Sequence, residues 1–425
     1  MALFIFIFTI LLMMISLIFF PKIKIKNKYF NTYWMIILLG SLLSIIILKI
    51  DFKELKNSIF SSNEMNPIKL ITLFISMSIL SLYLDEIGFF KSLSLKILNK
   101  VKLNQILIFT IFCLLISLLT IFVSNDVIIL TLTPLAIYFC KNALINPLPY
   151  VFSVLVFSNT FSMILIIGNP TNIYLATNQN INFIDYFKTM SIPGLLVGII
   201  SYLSLIFVFR KELKEKVVKQ NIIVPPLKKF ELRVGLTHLV ICLILLIISN
   251  IINKPMYLIT LIVSFSLIII TSIYYLYTKQ DNKVFKAIKK APFSFIPLIL
   301  GMYILIEGLK TTNLDLFTNF LNKYNNIYSY GISSFLLSNI MNNLPMSMFY
   351  SSFIPLNNLQ ATYATILGSN LGVLLTPFGA LAGLMWMELL RNNNIKINYL
   401  EYTKKLILTA ILTLFVGLLS LKFIL

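Results

Sequence analysis

Long apolar runs with few charges are the feature that most limits how this chain can fold. A helix needs about 20 apolar residues to cross a hydrocarbon core about 30 Å thick. Ten runs meet that length, near residues 1–20, 29–50, 67–90, 147–177, 190–209, 233–252, 255–277, 293–309, 360–390 and 404–424. With 58% AVILMFWYC and only 12% charged residues, the 425-residue chain does not fit the soluble globular class. We therefore expect an all-α polytopic membrane protein with ten crossings.

Signs of an enzyme, a metal centre or a cofactor site are missing from the sequence. It contains no P-loop, HExxH or GxSxG pattern. The single histidine, His238, lies at the edge of an apolar run, where an interfacial role is expected. The cysteines lie inside apolar runs without a CxxC spacing and are expected to be core thiols; they are Cys113, Cys140 and Cys242. We expect no catalytic activity, no metal and no cofactor.

The basic residues are concentrated in alternate loops. Lysines and arginines cluster at 22–28, 91–102, 210–229, 279–290 and 391–405, each after an odd-numbered crossing. The positive-inside rule places such loops in the cytoplasm. We expect a multi-pass protein of the cell membrane with both termini outside. The net charge of +20 then indicates an interaction with anionic lipid rather than with nucleic acid.

Two further apolar stretches carry polar residues at their centres. The stretch 103–140 contains Ser124, Asn125 and Asp126, and the stretch 327–354 contains Asn342 and Asn343. Polar, non-helical backbone is tolerated at membrane depth only where protein or a water-filled cavity satisfies it. The pattern predicts two re-entrant hairpins whose tips line a cavity. From the loop charges, the first enters from the cytoplasm and the second from outside.

An over-long apolar segment interrupted by glycine and proline follows each hairpin. Ser158-Asn159 leads to Gly168-Asn169-Pro170, and Ser369-Asn370 leads to Thr376-Pro377-Phe378-Gly379. Paired positions in the two halves are 222 (85 to 307), 217 (125 to 342) and 211 (159 to 370) residues apart. Inverted repeats with broken helices at matching places indicate a secondary transporter with its site at the membrane midplane.

These features predict five regions. The scaffold helices are expected at 1–66 and, together with a basic loop, at 233–292. The transport repeats are expected at 67–209 and 293–425. The segment 210–232, with Pro225-Pro226, is the predicted cytoplasmic linker.

The candidate site lies at the hairpin tips and helix breaks. Side-chain amides, hydroxyls and helix N-termini there can replace the hydration shell of a small polar solute. The candidate substrate-binding residues are Ser124, Asn125, Asn159, Gly168, Asn169, Asn342, Asn343, Asn370, Thr376 and Gly379. Such amides also join helices to one another in membranes, which is the alternative reading.

Ion coupling needs a group that can change its charge inside the membrane. Asp126 is the only acid in the stretch 103–140, and burying an ionised carboxylate is costly unless it is protonated or paired. The candidate ion-coupling residues are Asp126, Glu86 and Glu307. The two glutamates lie nearer the ends of their runs, where solvation or pairing with lysine is equally expected.

Five stretches resemble the bacterial arsenical pump membrane protein family, the arsenite/antimonite permeases of the ion transporter superfamily. They are LDEIGFF (84–90), SNDVIILTLTP (124–134), APFSFIPLILGMYILIEGL (291–309), SNIMNNLP (338–345) and GSNLGVLLTPFGALAGLMW (368–386). The resemblance implies a scaffold-plus-transport-domain fold and export of trivalent arsenic or antimony. It also implies energy from the proton gradient or from a soluble ATPase subunit. It carries family site positions to Asn125, Asp126, Asn342, Asn343, Gly168 and Gly379.

Asn370 and Asn159 depart from the family, which places acids there. The segment GNPTN (168–172) is similar to the wider superfamily, which includes sodium/proton antiporters and carboxylate symporters. A sodium/proton antiporter or a sodium-coupled anion or dicarboxylate transporter therefore stays open, and so does a non-transporting membrane anchor or sensor subunit. The expected partners are a neutral metalloid hydroxide or small inorganic oxyanion, a proton or sodium, the lipid bilayer, a soluble ATPase and a second copy of the chain.

Overall fold

The computed structural model describes residues 1–25, 28–60, 66–100, 104–217, 224–249, 251–310 and 326–425. The helices of the first half are α1 (Ala2–Phe19), α2 (Thr32–Leu48), α3 (Phe52–Ile59), α4 (Pro67–Glu86), α5 (Phe89–Lys100), α6 (Gln105–Phe122), α7 (Asn125–Ala143), α8 (Leu148–Phe161), α9 (Pro170–Asn178) and α10 (Phe183–Val208). Those of the second half are α11 (Lys229–Ile247), α12 (Met256–Thr278), α13 (Lys283–Lys290), α14 (Phe295–Lys310), α15 (Ile327–Met341), α16 (Asn343–Ser351), α17 (Leu359–Leu371), α18 (Leu381–Asn392) and α19 (Tyr399–Ile424). A short antiparallel pair, β1 (Lys22–Ile25) and β2 (Lys28–Asn31), joins α1 to α2.

The helices confirm the predicted all-α polytopic membrane fold. In the described part of the chain, nine helical segments are long and apolar enough to cross a membrane, while α2 and α8 are shorter, at 17 and 14 residues. Each of the ten predicted runs overlaps at least one helix. The runs 147–177 and 360–390 are each divided into two helices, α8 with α9 and α17 with α18. The number of full crossings stays a prediction.

Asparagine side chains begin many of these helices. The first backbone N–H groups of a helix lack intrahelical partners, and a short polar side chain just before the helix can accept from them. Asn66 accepts from the N–H of Ile68, and Asn182 from that of Asp185, at 2.7 and 2.8 Å. The cap at Asn182 starts α10 seven residues before the predicted run at 190, so the polar residues near 185 belong to the helix.

Helices α6 and α7 form a hairpin that opens on the side of the linker. Tyr150, at the start of α8, packs against Phe109 near the start of α6 and Phe139 near the end of α7, with ring centroids 5.7 and 6.0 Å apart. The hairpin tip lies at the other end of α8, where the Asn125 amide donates to Asn159. The tip therefore reaches the level of the break between α8 and α9.

Helices α15 and α16 form a second hairpin that opens on the opposite face. Tyr330 near the start of α15 lies 6.3 Å from Tyr350 near the end of α16, measured between ring centroids. The end of α16 is joined to the end of α9, because the Asn178 amide donates to the Ser351 carbonyl oxygen at 3.1 Å. Since α8 starts on the linker side and α9 ends on the other, the two hairpins enter from opposite faces.

Helices of each half pack against helices of the other half. The pair α1 and α2 of the first half packs on α14 of the second, and the pair α11 and α12 packs on α4 of the first. The long helices α10 and α19, each following a broken helix, pack against one another. This reciprocal arrangement fits an inverted repeat. The division into scaffold and transport regions stays a prediction.

The linker and its basic loops are only partly described. Lys26, Lys102 and Lys219 lie outside the described residues, as do 218–223 of the linker and 311–325 of the second repeat. Lys405 of α19 approaches Glu212, at 3.9 Å, so the start of α19 lies beside the linker.

We predict that the linker faces the cytoplasm. Lys216 is exposed, whereas the three native cysteines are buried, so a Lys216→Cys protein carries one reactive thiol. Membrane-impermeant maleimide should label it only in inside-out vesicles. A matched Lys254→Cys protein, on the other face, should label only from outside. The reverse pattern would invert the proposed topology.

Candidate functional site

Both hairpin tips and both helix breaks meet at one small gap in the middle of the protein. The gap is lined by the first residues of α7, α9, α16 and α18: Asn125, Asp126, Asn169, Pro170, Asn343, Leu344, Ala380, Leu381 and Ala382, together with Phe295. Its volume of about 10 Å³ is room for about one water molecule. Helix N-termini carry partial positive charge and N–H groups without intrahelical partners. Four of them around one gap favour ligands with oxygen acceptors or negative charge.

A large cavity leads from the linker face to this gap. It has a volume of about 890 Å³, and the basic residues Lys22, Lys290 and Arg391 are among those that line it. At its deep end it reaches Ser124 and Asp126 of the first hairpin tip. The cavity and the gap share Asp126, Phe295 and Leu381 as lining residues. The described conformation is therefore open from the linker face down to the first hairpin tip.

Asp126 is the one carboxylate that lines the gap among the described residues. Its backbone N–H donates to the Asn125 side-chain oxygen at 3.0 Å. Within the described part of the chain, its carboxylate has neither a hydrogen bond nor an ion pair. A carboxylate without such partners can be stabilised by the positive N-terminus of α7, or by binding a cation or a proton.

The second hairpin tip has no acid in the matching position. Ser124 and Asn342 each precede the first residue of a helix, α7 and α16, so these two residues correspond. Their offset is 218 (342 minus 124), one more than the 217 predicted from Asn125 and Asn342. Leu344 then stands where the first half has Asp126. The backbone of the two tips is therefore similar, but only the first tip carries an acidic side chain at this position.

The two candidate glutamates do not join Asp126 at the gap. Glu86, at the end of α4, forms an ion pair with Lys290 at the rim of the cavity. Glu307 lies on α14, within electrostatic reach of Tyr174 on α9. Neither glutamate lines the gap, so the structure separates them from the hairpin tips.

The hairpin tips are held by amides. The Asn125 amide donates to the Asn159 side-chain oxygen at 3.2 Å, which joins the first tip to the last turn of α8. At the second tip, the Asn342 amide donates to the Phe378 carbonyl oxygen at 3.2 Å. Asn342 has φ of +69°, a conformation that non-glycine residues rarely adopt, and its buried side-chain oxygen has no hydrogen-bond partner among the described residues. Asn343 lines the gap beside it.

Asn370 and Asn169 belong to a buried network that ties the two broken helices together. The Asn370 oxygen accepts from the Asn169 amide at 2.9 Å and from the Ser162 hydroxyl at 3.2 Å. The Asn370 amide donates to the Asn172 side-chain oxygen at 2.7 Å and to the Ile366 carbonyl oxygen at 2.8 Å. All four hydrogen-bonding positions of this amide are used. Asn370 therefore acts through packing of the breaks, while Asn169 also lines the gap.

Thr376 is fixed by Asn339, a residue absent from the predicted site. The Asn339 oxygen accepts from the Thr376 N–H and hydroxyl at 3.1 and 2.6 Å. Its amide donates to the Gly372 and Phe335 carbonyl oxygens at 3.0 and 2.9 Å. Asn339 thus clamps α15 to the second break. Asn339 lies within SNIMNNLP and Asn172 within GNPTN, but the sequence alone does not reveal the partner of either residue.

Gly168 and Gly379 allow the backbone of each break to fold closely on itself. A Cβ atom on Gly168 would lie 2.1 Å from the Ser162 carbonyl oxygen, and one on Gly379 would lie 2.5 Å from the Gly372 carbonyl carbon. Neither glycine lines the gap, which leaves close backbone packing as the role that the geometry gives them.

We expect Gly168→Ala to destabilise the protein by at least about 1–3 kcal/mol, as overpacking a core commonly does. The neighbouring atoms are backbone and cannot move aside easily. Gly331→Ala is the control, because the three atoms nearest its new Cβ belong to the side chain of Leu418 and not to backbone. Thermal unfolding in detergent should show a clearly lower midpoint for Gly168→Ala. Equal midpoints would contradict this reading of the break.

Comparisons with known proteins show that the chain is similar to membrane transporters. A family model described as citrate transporter, CitMHS, matches residues 1–356. The "Arsenical pump membrane protein" of Escherichia coli is 28% identical over 369 residues, covering 82% of this chain and 84% of that protein. The protein of the same name from Yersinia enterocolitica is 26% identical over 372 residues, with the same coverage. The predicted resemblance to arsenical pump membrane proteins is confirmed.

A solved structure shares the fold. The Alcanivorax borkumensis YdaH transporter, described as having an unusual topology, aligns with a TM-score of 0.57. The alignment covers 99% of this chain and 97% of that chain at 10% sequence identity. At this identity the likeness concerns the fold alone.

Proposed function

Since the chain belongs to the CitMHS citrate transporter family, whose members are membrane transporters, we propose that it is a secondary efflux permease for arsenite and antimonite. The observation that carries the proposal is the gap where both hairpin tips and both helix breaks converge. It places amide side chains and four helix N-termini around a position that one face of the protein can reach.

The chemistry of the gap suits a small solute rich in oxygen. Arsenite near neutral pH is an uncharged triol, whose hydroxyl groups both donate and accept hydrogen bonds. Asn125, Asn169 and Asn343 bring amides to the gap, and no arginine or lysine of the described residues lines it. The arsenical pump relatives favour this solute over others. With a volume of about 10 Å³, the gap must widen before such a solute can bind.

Asp126 is the proposed coupling group. It lies where the open cavity meets the gap, so a proton or cation from the linker side can reach it. Proton uptake would remove a charge that is costly at membrane depth, while the transporter returns to its other conformation. A proton gradient would then drive the solute outward. A soluble ATPase subunit and a second copy of the chain stay predictions that this scheme does not require.

The experiment that tests the proposal is arsenite accumulation in inside-out vesicles. Imposing a pH gradient, acidic inside, should drive arsenite into the lumen, and a protonophore should abolish the uptake. Vesicles prepared without the protein provide the background. No arsenite uptake above that background under any gradient would reject the proposed solute.

A sodium-coupled anion transporter is the second candidate. The family description names citrate, and four helix N-termini favour negative charge. Asp126 could then hold sodium instead of a proton. Citrate or succinate uptake that needs sodium, with no response to arsenite, would favour this candidate.

A further inference from the structure

A second large cavity lies on the face opposite the linker. It has a volume of about 560 Å³ and is formed by the starts of α4 and α12 and by the connections between α9 and α10 and between α11 and α12. The hydrogen-bond donors that line it include Lys69, Lys254, Asn180 and Asn253, while the amide of Asn182 already donates to the Asp185 carboxylate in the first turn of α10. None of these residues belongs to the midplane gap.

The inverted repeat makes this cavity the counterpart of the one on the linker face. The linker-face cavity is formed by the connection between α1 and α2, the start of α14, the end of α18 and the start of α19. In the other half, the equivalent elements are the connection between α11 and α12, the start of α4, the end of α9 and the start of α10, which form the second cavity. The second cavity stops short of the gap, since the two share no lining residue.

The charged side chains that line this cavity in the described part of the chain are two lysines. Lys69 and Lys254 both line it, and no Asp or Glu does within the described ranges. The Lys69 ammonium lies 5.7 Å from the centre of the Tyr257 ring, which holds it near the cavity wall. Helices α4 and α12 begin at the cavity without an acidic residue in their first turns, so their positive ends add to the field of the lysines. The positive-inside rule does not call for lysines on this face.

We propose that this cavity binds a small anion through phosphate- or carboxylate-type oxygens, as an outer station separate from the midplane site. Ammonium and amide donors are the groups that recognise such oxygens. Uncharged arsenite would gain nothing from the two lysines. The inference therefore goes beyond arsenite transport, and its test needs no transport.

The test uses a cysteine placed in the cavity. Met256 is half-buried in its wall and lies at the start of α12, and the native cysteines are buried. A Met256→Cys protein in phosphatidylcholine vesicles is labelled with an impermeant thiol reagent, with and without inorganic phosphate at matched ionic strength. At about ten times the Kd, phosphate should slow labelling about tenfold, because only the unoccupied fraction reacts.

Three variants test whether the two lysines cause the protection by phosphate. Protection should disappear in the Lys69→Gln/Lys254→Gln protein and survive in Lys254→Arg, which keeps the charge. It should also survive in Lys188→Gln, an exposed lysine on the same face outside the cavity. Equal thermal midpoints check that all variants are folded, and each protection ratio is taken within one variant.

A second arm replaces part of the phosphatidylcholine with phosphatidylglycerol and omits phosphate. Protection that appears there and needs the two lysines assigns the site to a lipid headgroup, whereas protection by free phosphate assigns it to a soluble anion. Either result supports anion binding. No protection in both arms, or protection that persists without the lysines, overturns the proposal.

Discussion

Asp126→Asn should abolish gradient-driven transport while leaving the protein folded. Asparagine has nearly the size of aspartate and cannot exchange a proton, so it resembles the protonated state permanently. The carboxylate stands alone at the gap within the described chain, and Glu86 and Glu307 lie elsewhere. Proton-driven arsenite uptake should fall to the level of protein-free vesicles. Arsenite exchange between equal concentrations, which needs no net proton movement, should remain.

Asp281→Asn is the matched control. The hydrogen bond from Lys286, at 2.9 Å, holds the pKa of the Asp281 carboxyl below its usual value. Because Asp281 is exposed and stays ionised, it cannot carry a proton through the membrane near neutral pH. This variant should transport like the parent. Proton coupling that survives in Asp126→Asn would assign the role to another group.

Asn370→Asp should strongly destabilise the protein at neutral pH. The Asn370 amide donates to the Asn172 and Ile366 oxygens. An ionised carboxylate at this position has no hydrogen to donate, so its oxygen would repel those two acceptors. An uncompensated buried charge costs roughly 3–5 kcal/mol. Protonation restores one donor and removes the charge, so the loss of stability should be largest at high pH and decrease as pH falls.

The measurement is the thermal unfolding midpoint against pH for Asn370→Asp and a control. Asn142→Asp is the control, because its amide also donates to a carbonyl oxygen four residues earlier, at 2.8 Å, but outside the buried network. The control should follow the parent. An Asn370→Asp midpoint that is independent of pH would mean that the network of the two breaks tolerates a carboxylate.

The positions of the tips and breaks could be predicted from the sequence because they interrupt apolar runs. Polar residues such as Ser124 and Asn342 are costly at membrane depth unless protein or a water-filled cavity satisfies them. Their presence in the middle of an apolar run therefore indicates a break in the helix. The predicted register of the second tip was wrong by one residue. Apolar periodicity does not determine which residue of Asn342-Asn343 begins the helix.

Several features gave no local signal. The packing of α2 on α14 and of α12 on α4 depends on contacts between halves, which periodicity within one run cannot reveal. Asn339 looked like a single polar residue in a helix, and its partner Thr376 lies 37 residues away. Helix α13 lies within the stretch that the sequence predicts to be a basic loop, because lysines are frequent in loops and in charged helices alike.

The roles of the predicted site residues also differ more than their residue types suggested. Asn125, Asp126, Asn169 and Asn343 line the gap, whereas Asn370 and the two glycines act in the packing of the breaks. Amides that bind a solute and amides that join helices look the same in sequence. Only their partners distinguish them, and those partners come from the other half of the chain.

The central claim is that the gap carries arsenite outward in exchange for protons through Asp126. It is tested most directly with purified protein in proteoliposomes, by following arsenite and lumenal pH together. Under an imposed pH gradient, arsenite should move opposite to protons without sodium, and the Asp126→Asn protein should show neither flux. Sodium-dependent citrate or succinate flux in the absence of any arsenite movement would contradict the claim.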